Sequence, residues 1–354
     1  MHRMLLIIRK KACLIICAVL LLSTILYSAR KILVYHNNTL LTVTTEEGTR
    51  KDYIKWVDFN VPYKALHHAL ILDVQSHETD TPISWIELLA YVSAKNGNNF
   101  KNFKEKQLDE VAEFLKSGKT IEELTKDMKY YDYYYQAYDT ILSGFVGEYE
   151  IEVPDENGEG KHWERRYGLK VFSPIAKTFP YHHYDDFGNS RSYGFKRIHL
   201  GNDLMGQVGT PIVAVEGGVV EALGWNQYGG WRIGIRSLDS KRYYYYAHLR
   251  KNFPYRKDLE IGSIVKAGDV IGYLGRTGYS KTENVNNIQQ PHLHFGMQLI
   301  FDESQKECNN EIWIDVYQII RLLDKQRSEV VKDPETKDYS RVYDIRECQD
   351  LLFD

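Results

Sequence analysis

Several things are scarce in this 354-residue chain. The net charge is only −3, so nothing in the composition points to nucleic acid as a partner. Cysteine is limited to four residues. Cys13 and Cys17 fall in one apolar run at helical i, i+4 spacing and read as lipid-facing filler. That leaves Cys308 and Cys348, for which a disulfide and two free thiols are equally open on sequence alone. No H-E-x-x-H motif occurs, which excludes a helical glutamate base of that kind. Residues 51–150 contain no paired-carboxylate or nucleophile motif. Glu87 and Glu110 each stand alone there and read as solvated or capping charges rather than as a glycosidase acid.

What is present begins with the apolar run. Residues 12–29 carry no charge and are mostly Leu, Ile, Val, Ala and Cys, about the minimum for a membrane span. Arg3, Arg9, Lys10 and Lys11 precede it, and Arg30 and Lys31 follow. This bias predicts a cytoplasmic N-terminus, with everything after residue 31 outside the cytoplasm. A cleaved signal peptide is the alternative. Tyr27 stands where such a site needs a small residue, so the sequence favours an uncleaved signal anchor.

Residues 32–50 read as a polar juxtamembrane linker. Residues 51–150 read as a helical accessory domain of about four helices, a spacer or a partner-binding module. Residues 85–94 and 107–115 have apolar positions at helical spacing, Thr120 to Glu123 is a capping-box pattern, and residues 130–142 form an aromatic-rich helix. Residues 151–168 are charged and contain Gly158 and Gly160, marking a linker or hairpin turn. Residues 169–304 show short strands separated by glycine turns at 211–215, 218–223, 231–237, 242–248, 270–274 and 292–300. This spacing predicts an antiparallel β sandwich or barrel-like sheet, helped by a high tyrosine content of 27. Residues 305–354 are expected to form a C-terminal helical extension, with an amphipathic helix over 312–323. The fold class is therefore mainly β, with an N-terminal membrane helix and a helical domain.

Within the β region lies a set of histidines. His199 and Asp203 are separated by Leu-Gly-Asn, and His292-Leu-His294 follows far downstream. Residues i and i+2 of a strand share a face, so His292 and His294 point the same way. Two imidazoles and one carboxylate make a three-ligand zinc set with a position left for water, the catalytic rather than the structural pattern. Tyr246-Ala-His248-Leu249 adds a further histidine on a tyrosine-rich run.

These residues resemble the lysostaphin-type (LytM-like) zinc metallopeptidases, which cut peptide bonds in bacterial cell walls. The family pattern H-x-G-x-D, G-T-P-V-x-A, Y-x-H-L and H-L-H-F is matched by His199-x-Gly201-x-Asp203, by the segment from Gly209 to Ala214, by Tyr246-x-His248-Leu249 and by His292-Leu-His294-Phe295. The turns from Val265 to Gly272 and from Leu274 to Gly278 match as well. One departure is Gly296, where the family often has glutamate. The resemblance implies Zn2+ held by His199, Asp203 and His294, with His248 and His292 as general base and oxyanion donor, in either assignment. It implies an endopeptidase acting on peptidoglycan peptides, which the apolar run would anchor to the membrane with its site outside the cytoplasm. A latent or non-catalytic wall-binding scaffold is the alternative. In some members an upstream residue covers the zinc, a role open here to His183, Asp186 or Asn189. His182, His67 and His68 read as surface or packing residues.

Overall fold

The structure, a computed structural model, describes residues 41–44, 50–192, 196–306 and 310–347. The apolar run at 12–29, Cys308 and Cys348 lie outside the described residues. Among those described, no helix is long and apolar enough to cross a membrane. Met1–Trp56 cluster as one unit, in which Leu41–Thr44 pairs antiparallel with Arg50–Tyr53. Val57–Asp354 form the other.

In the larger unit, alternating apolar and polar positions build one eight-stranded antiparallel sheet. Its strands are β1 (His182–His183), β2 (Asn202–Met205), β3 (Gly218–Asn226), β4 (Gly230–Ser237), β5 (Arg242–Ala247), β6 (Ile264–Val265), β7 (His292–Leu299) and β8 (Ile312–Ile314). The order across the sheet is β6-β3-β4-β5-β7-β2-β1, with β8 also pairing with β7. Val220, Ile233, Ile235, Tyr244, Tyr246, Leu293, Phe295 and Met297 are buried on these strands. The strands expected between 211 and 300 all appear, with ends moved by a few residues. The fold is thus mainly β, as the pattern predicted.

Among the described residues, five helices precede the sheet: α1 (Tyr63–Ser76), α2 (Trp85–Asn96), α3 (Lys106–Lys116), α4 (Ile121–Thr125) and α5 (Tyr131–Leu142). Ser84 caps α2 by accepting from the Glu87 N–H, and Gly97 ends it in the left-handed conformation. Thr120 and Glu123 make the expected capping box at α4. The sequence reading had no counterpart for α1.

Of the two readings of the charged stretch 151–168, linker or hairpin turn, the structure takes the second: it is the middle of a long hairpin, Val146–Pro154 paired with Lys161–Leu169. Its turn closes through Asp155 N–H to Gly160 O at 3.0 Å, and Gly158 supplies a φ of 72°. Residues 312–323 are not one helix. Ile312 and Ile314 face inward as β8, and α6 (Tyr317–Leu323) begins only afterwards. An apolar pair two residues apart is a strand face, and pairing with β7 decides for it. Further along the described part of the extension the chain again forms strands: Val330–Lys332 pairs with Tyr339–Arg341, and Ile345–Glu347 joins the long hairpin.

The helices are not set apart from the sheet. Arg242, fully buried, points from β5 to the end of α5, where its Nη1 donates to Thr140 O at 2.6 Å. Its Nε and Nη2 reach the two oxygens of Glu216, both at 2.8 Å. Lys241 Nζ donates to Asp139 on α5 at 2.6 Å. On α1, Asp73 accepts from Tyr167 Oη at 2.7 Å and from the Trp85 N–H at 2.9 Å. Such bonds tie helical layer and sheet into one folding unit.

Candidate metal centre

Antiparallel pairing explains why distant motifs meet. On β2 and β7, Asp203 lies directly opposite His294. Opposed residues on one face hold their Cβ atoms about 4.5–5.5 Å apart, so their side chains converge. His199 enters from the loop just before β2. The three donor atoms form a triangle: His199 Nε2 to His294 Nδ1 is 2.8 Å, His199 Nε2 to Asp203 Oδ1 is 3.1 Å, and His294 Nδ1 to Asp203 Oδ1 is 3.3 Å. These are spacings of donors sharing one centre at roughly 2 Å, the bond length of zinc to nitrogen or oxygen. Among the described residues no other cluster of His, Cys, Asp and Glu closes in this way. The donor set fits zinc: two imidazoles, one carboxylate and room for a further ligand.

Gly201 is required by this packing. A Cβ there would stand 2.7 Å from His294 Cε1 and 2.6 Å from Phe295 O. The glycine of H-x-G-x-D is the space into which the His294 ring fits.

Burial alone would raise the Asp203 carboxyl. The close imidazoles of His199 and His294 and the nearby His292 outweigh it and hold the group well below the usual carboxylate range. His294 is pushed down by burial, with Asp203 opposing. An ionised carboxylate and a neutral imidazole are the forms that bind a metal.

His248 and His292 stand beside the triangle, their rings 4.7 Å apart. His248 Nδ1 lies 2.9 Å from Thr277 O, and His292 Nδ1 lies 2.8 Å from Gln290 O. Each carbonyl can only accept, so Nδ1 carries the proton and Nε2 is left free. His292 Nε2 is 3.7 Å from Asp203 Oδ1 and so faces the centre. Burial, then the neighbouring His292 and His294, push His248 well below its ordinary value, which keeps it neutral. His248 has a φ of 63°, a left-handed conformation that costs a non-glycine residue about 1–2 kcal/mol. Its N–H bond to Gly229 O at 2.7 Å helps to hold that turn. Gly278, at φ 123°, makes the close approach possible: a Cβ there would meet Tyr228 O at 2.5 Å and His248 Nδ1 at 3.0 Å.

Two residues on the far side of His199 belong to the same network. Asp186 O lies 3.0 Å from His199 Nδ1, which fixes the tautomer that leaves Nε2 toward the triangle. Asp186 Oδ1 accepts from the Asp203 N–H at 3.2 Å. Arg191 Nη2 lies 2.7 Å from Asp186 Oδ2 and 3.3 Å from Asp203 Oδ2. Arg191 thus holds the carboxylate oxygen turned away from the triangle. The sequence offers Asp186 only as a cover for the metal and gives no role to Arg191. Neither role has a sequence signal, because one runs through a backbone carbonyl and the other through a hairpin.

The remaining candidates fall elsewhere. Asn189 contributes its backbone O to the His199 N–H at 2.9 Å. His183 packs on Tyr317 at 4.4 Å between ring centres, and burial pushes it down to about 4. His182 is exposed on β1. His68 meets Asp109 at 2.6 Å within the helices, and Glu110 pairs loosely with Lys106 at 3.9 Å. Gly296 also finds its reason. Trp313 of β8 covers it, and a Cβ would stand 2.9 Å from the indole and from Leu200 O. The space a glutamate would use is filled by tryptophan.

Residues 197–308 match the sequence profile of peptidase family M23. Over 124 residues the chain is 40% identical to the L-Ala–D-Glu endopeptidase of Bacillus subtilis, which is 35% of this chain and 36% of that protein. Over 99 residues it is 38% identical to lysostaphin of Staphylococcus staphylolyticus, 28% of this chain and 18% of that one. The chain thus spans about a third or less of the length of these relatives. A crystal structure of lytM from Ruminococcus gnavus aligns with a TM-score of 0.50 at 24% identity, over 76% of this chain and 89% of the other. This is a likeness of fold.

Proposed function

We propose that this chain is a zinc-dependent endopeptidase that hydrolyses peptide bonds of peptidoglycan, a reading supported by the match of residues 197–308 to the model of peptidase family M23. The observation that carries the reading is the closed triangle of His199, Asp203 and His294 with two further imidazoles beside it. The relatives' names, an L-Ala–D-Glu endopeptidase and a glycyl-glycine endopeptidase, support the substrate class.

When bound, zinc supplies Lewis acidity and lowers the pKa of a coordinated water. The protein's own residues do the rest. Asp186 and Arg191 orient His199 and Asp203. His248 and His292 each present an Nε2 that can take a proton from the attacking water or give one to the developing oxyanion or the leaving amine. Two neighbouring imidazoles, each with its Nε2 left free, can share this work without a carboxylate base.

The expected result is that His248→Ala and His292→Ala each keep about one zinc per chain while hydrolysis of a defined muropeptide falls by ~10²-fold or more. Metal analysis and mass spectrometry of the digest read both quantities. Zinc loss in either variant would show the roles to be wrong. A zinc-loaded wild type that leaves every muropeptide intact would sink the peptidase reading and favour a binding scaffold.

The apolar run at 12–29 and its flanking cations support an anchored protein with its site outside the cytoplasm. Protease added to intact protoplasts should then remove the region beyond residue 57. Full protection would contradict this topology.

A further inference from the structure

The hairpin that leads into His199 places two arginines directly opposite each other. Strand Ser190–Ser192 pairs with Lys196–Ile198, and Arg191 is the partner of Arg197. Like charges in that position repel. Arg191 is neutralised by Asp186 and Asp203. Arg197 is not: among the described residues no carboxylate lies within ion-pair distance. Its guanidinium sits between the rings of Tyr228 and Tyr279, at 5.4 and 4.9 Å from their centres. Its Nη2 donates to Tyr279 Oη, and its Nε is buried without a partner.

This cation is built rather than solvated. Two aromatic faces hold its plane, and a phenol fixes one edge. It is also close to the chemistry. Arg197 and His199 lie two residues apart on an extended segment and so share a side, and the Tyr279 ring is 5.7 Å from His248. An unpaired, preoriented guanidinium at the rim of a peptide-cleaving centre matches one kind of partner, a planar carboxylate.

Resting on the peptidase reading above, we propose that Arg197 is a specificity-determining residue. It binds a free carboxylate of the substrate next to the scissile bond, so the site takes an acidic stem peptide in preference to a neutral one. Tyr279 and Tyr228 are its positioning residues.

The test uses two synthetic stem peptides that are identical except at a D-Glu flanking the scissile bond, its spare carboxyl free in one and amidated in the other. The zinc-loaded wild type should cleave the acid with a kcat/KM roughly 10- to 100-fold higher, the scale of one charge-assisted hydrogen bond. Arg197→Gln, checked for native zinc content and circular dichroism, should bring the acid-to-amide ratio to within about threefold of unity. Arg197→Lys should retain part of the preference, and Tyr279→Phe should lower it while leaving the ring in place. A merely structural role would slow both peptides together and leave the ratio alone. Equal rates on the two peptides with wild type, or a ratio untouched by Arg197→Gln, would overturn carboxylate recognition while leaving the peptidase standing. Failure to cleave either peptide would overturn both.

Discussion

Replacing His199, Asp203 or His294 by alanine should leave the purified protein with far less than one zinc per chain and cut muropeptide hydrolysis by ~10³-fold or more, since the metal contributes several kcal/mol of transition-state stabilisation. The triangle of donors explains why no variant should be mild. All three atoms lie within 4.8 Å of one another, and each removed ligand leaves two, too few for a site that must compete with water. Asp203→Ala should be the severest. That carboxylate also accepts from Arg191 and faces His292, so its loss leaves a cation and imidazoles crowded together. Metal analysis after dialysis against a weak chelator, beside the peptide assay, reads both effects. Full zinc occupancy in all three variants would remove the ligand assignment.

The second large effect is on stability. Glu216→Ala should lower the unfolding free energy by up to about 3–5 kcal/mol, the usual cost of removing one partner of a buried pair, with Asp239 Oδ2, 2.7 Å from Nη2, left as the remaining carboxylate on Arg242. Arg242 has no exposed surface, and Glu216 supplies both ends of its fork as well as accepting from Tyr244 Oη at 2.6 Å. Gly144 is packed against the same pair: a Cβ there would stand 1.8 Å from Glu216 Oε1. The double variant Glu216→Ala, Arg242→Met should regain part of the loss, because it removes a fully buried guanidinium that keeps only the partly exposed Asp239 as a carboxylate partner. Urea unfolding of the three proteins decides the point. A single variant as stable as the wild type would mean that the pair carries little. The same geometry speaks against treating the helices as detachable. A fragment beginning at residue 167 would lack the Thr140 carbonyl and Asp139, two of the partners that meet the cations of β5.

The site was legible in sequence because its members are held by short local rules. His292 and His294 share a face by strand alternation, and Gly201 and Gly278 stand where a side chain would strike an imidazole. The strands between 211 and 300 were legible for a similar reason, several of them bounded by glycine turns, as at Gly209, Gly217, Gly229, Gly268 and Gly275. Arg242 and Glu216 were not, since nothing in either neighbourhood announces a partner 26 residues away or a carbonyl on another layer. Asp186 and Arg191 acquire their places through a hairpin whose pairing carries no apolar pattern. The C-terminal residues misled because a run such as Ile312 to Leu323 satisfies helical spacing, while the open edge of β7 selects a strand for its first three residues.

That edge has a practical consequence. β2 covers β7 only from His292 to Phe295, and β8 takes over from Met297 to Leu299. A catalytic fragment trimmed before residue 312 would keep every imidazole yet bare a stretch of unpaired backbone donors and acceptors beside buried Met297 and Leu299. Such a ledge recruits whatever extended chain is nearest, most often another copy of itself. Shortening this protein at that point would convert a monodisperse preparation into one that self-associates through strand addition, with no change to the residues that do chemistry.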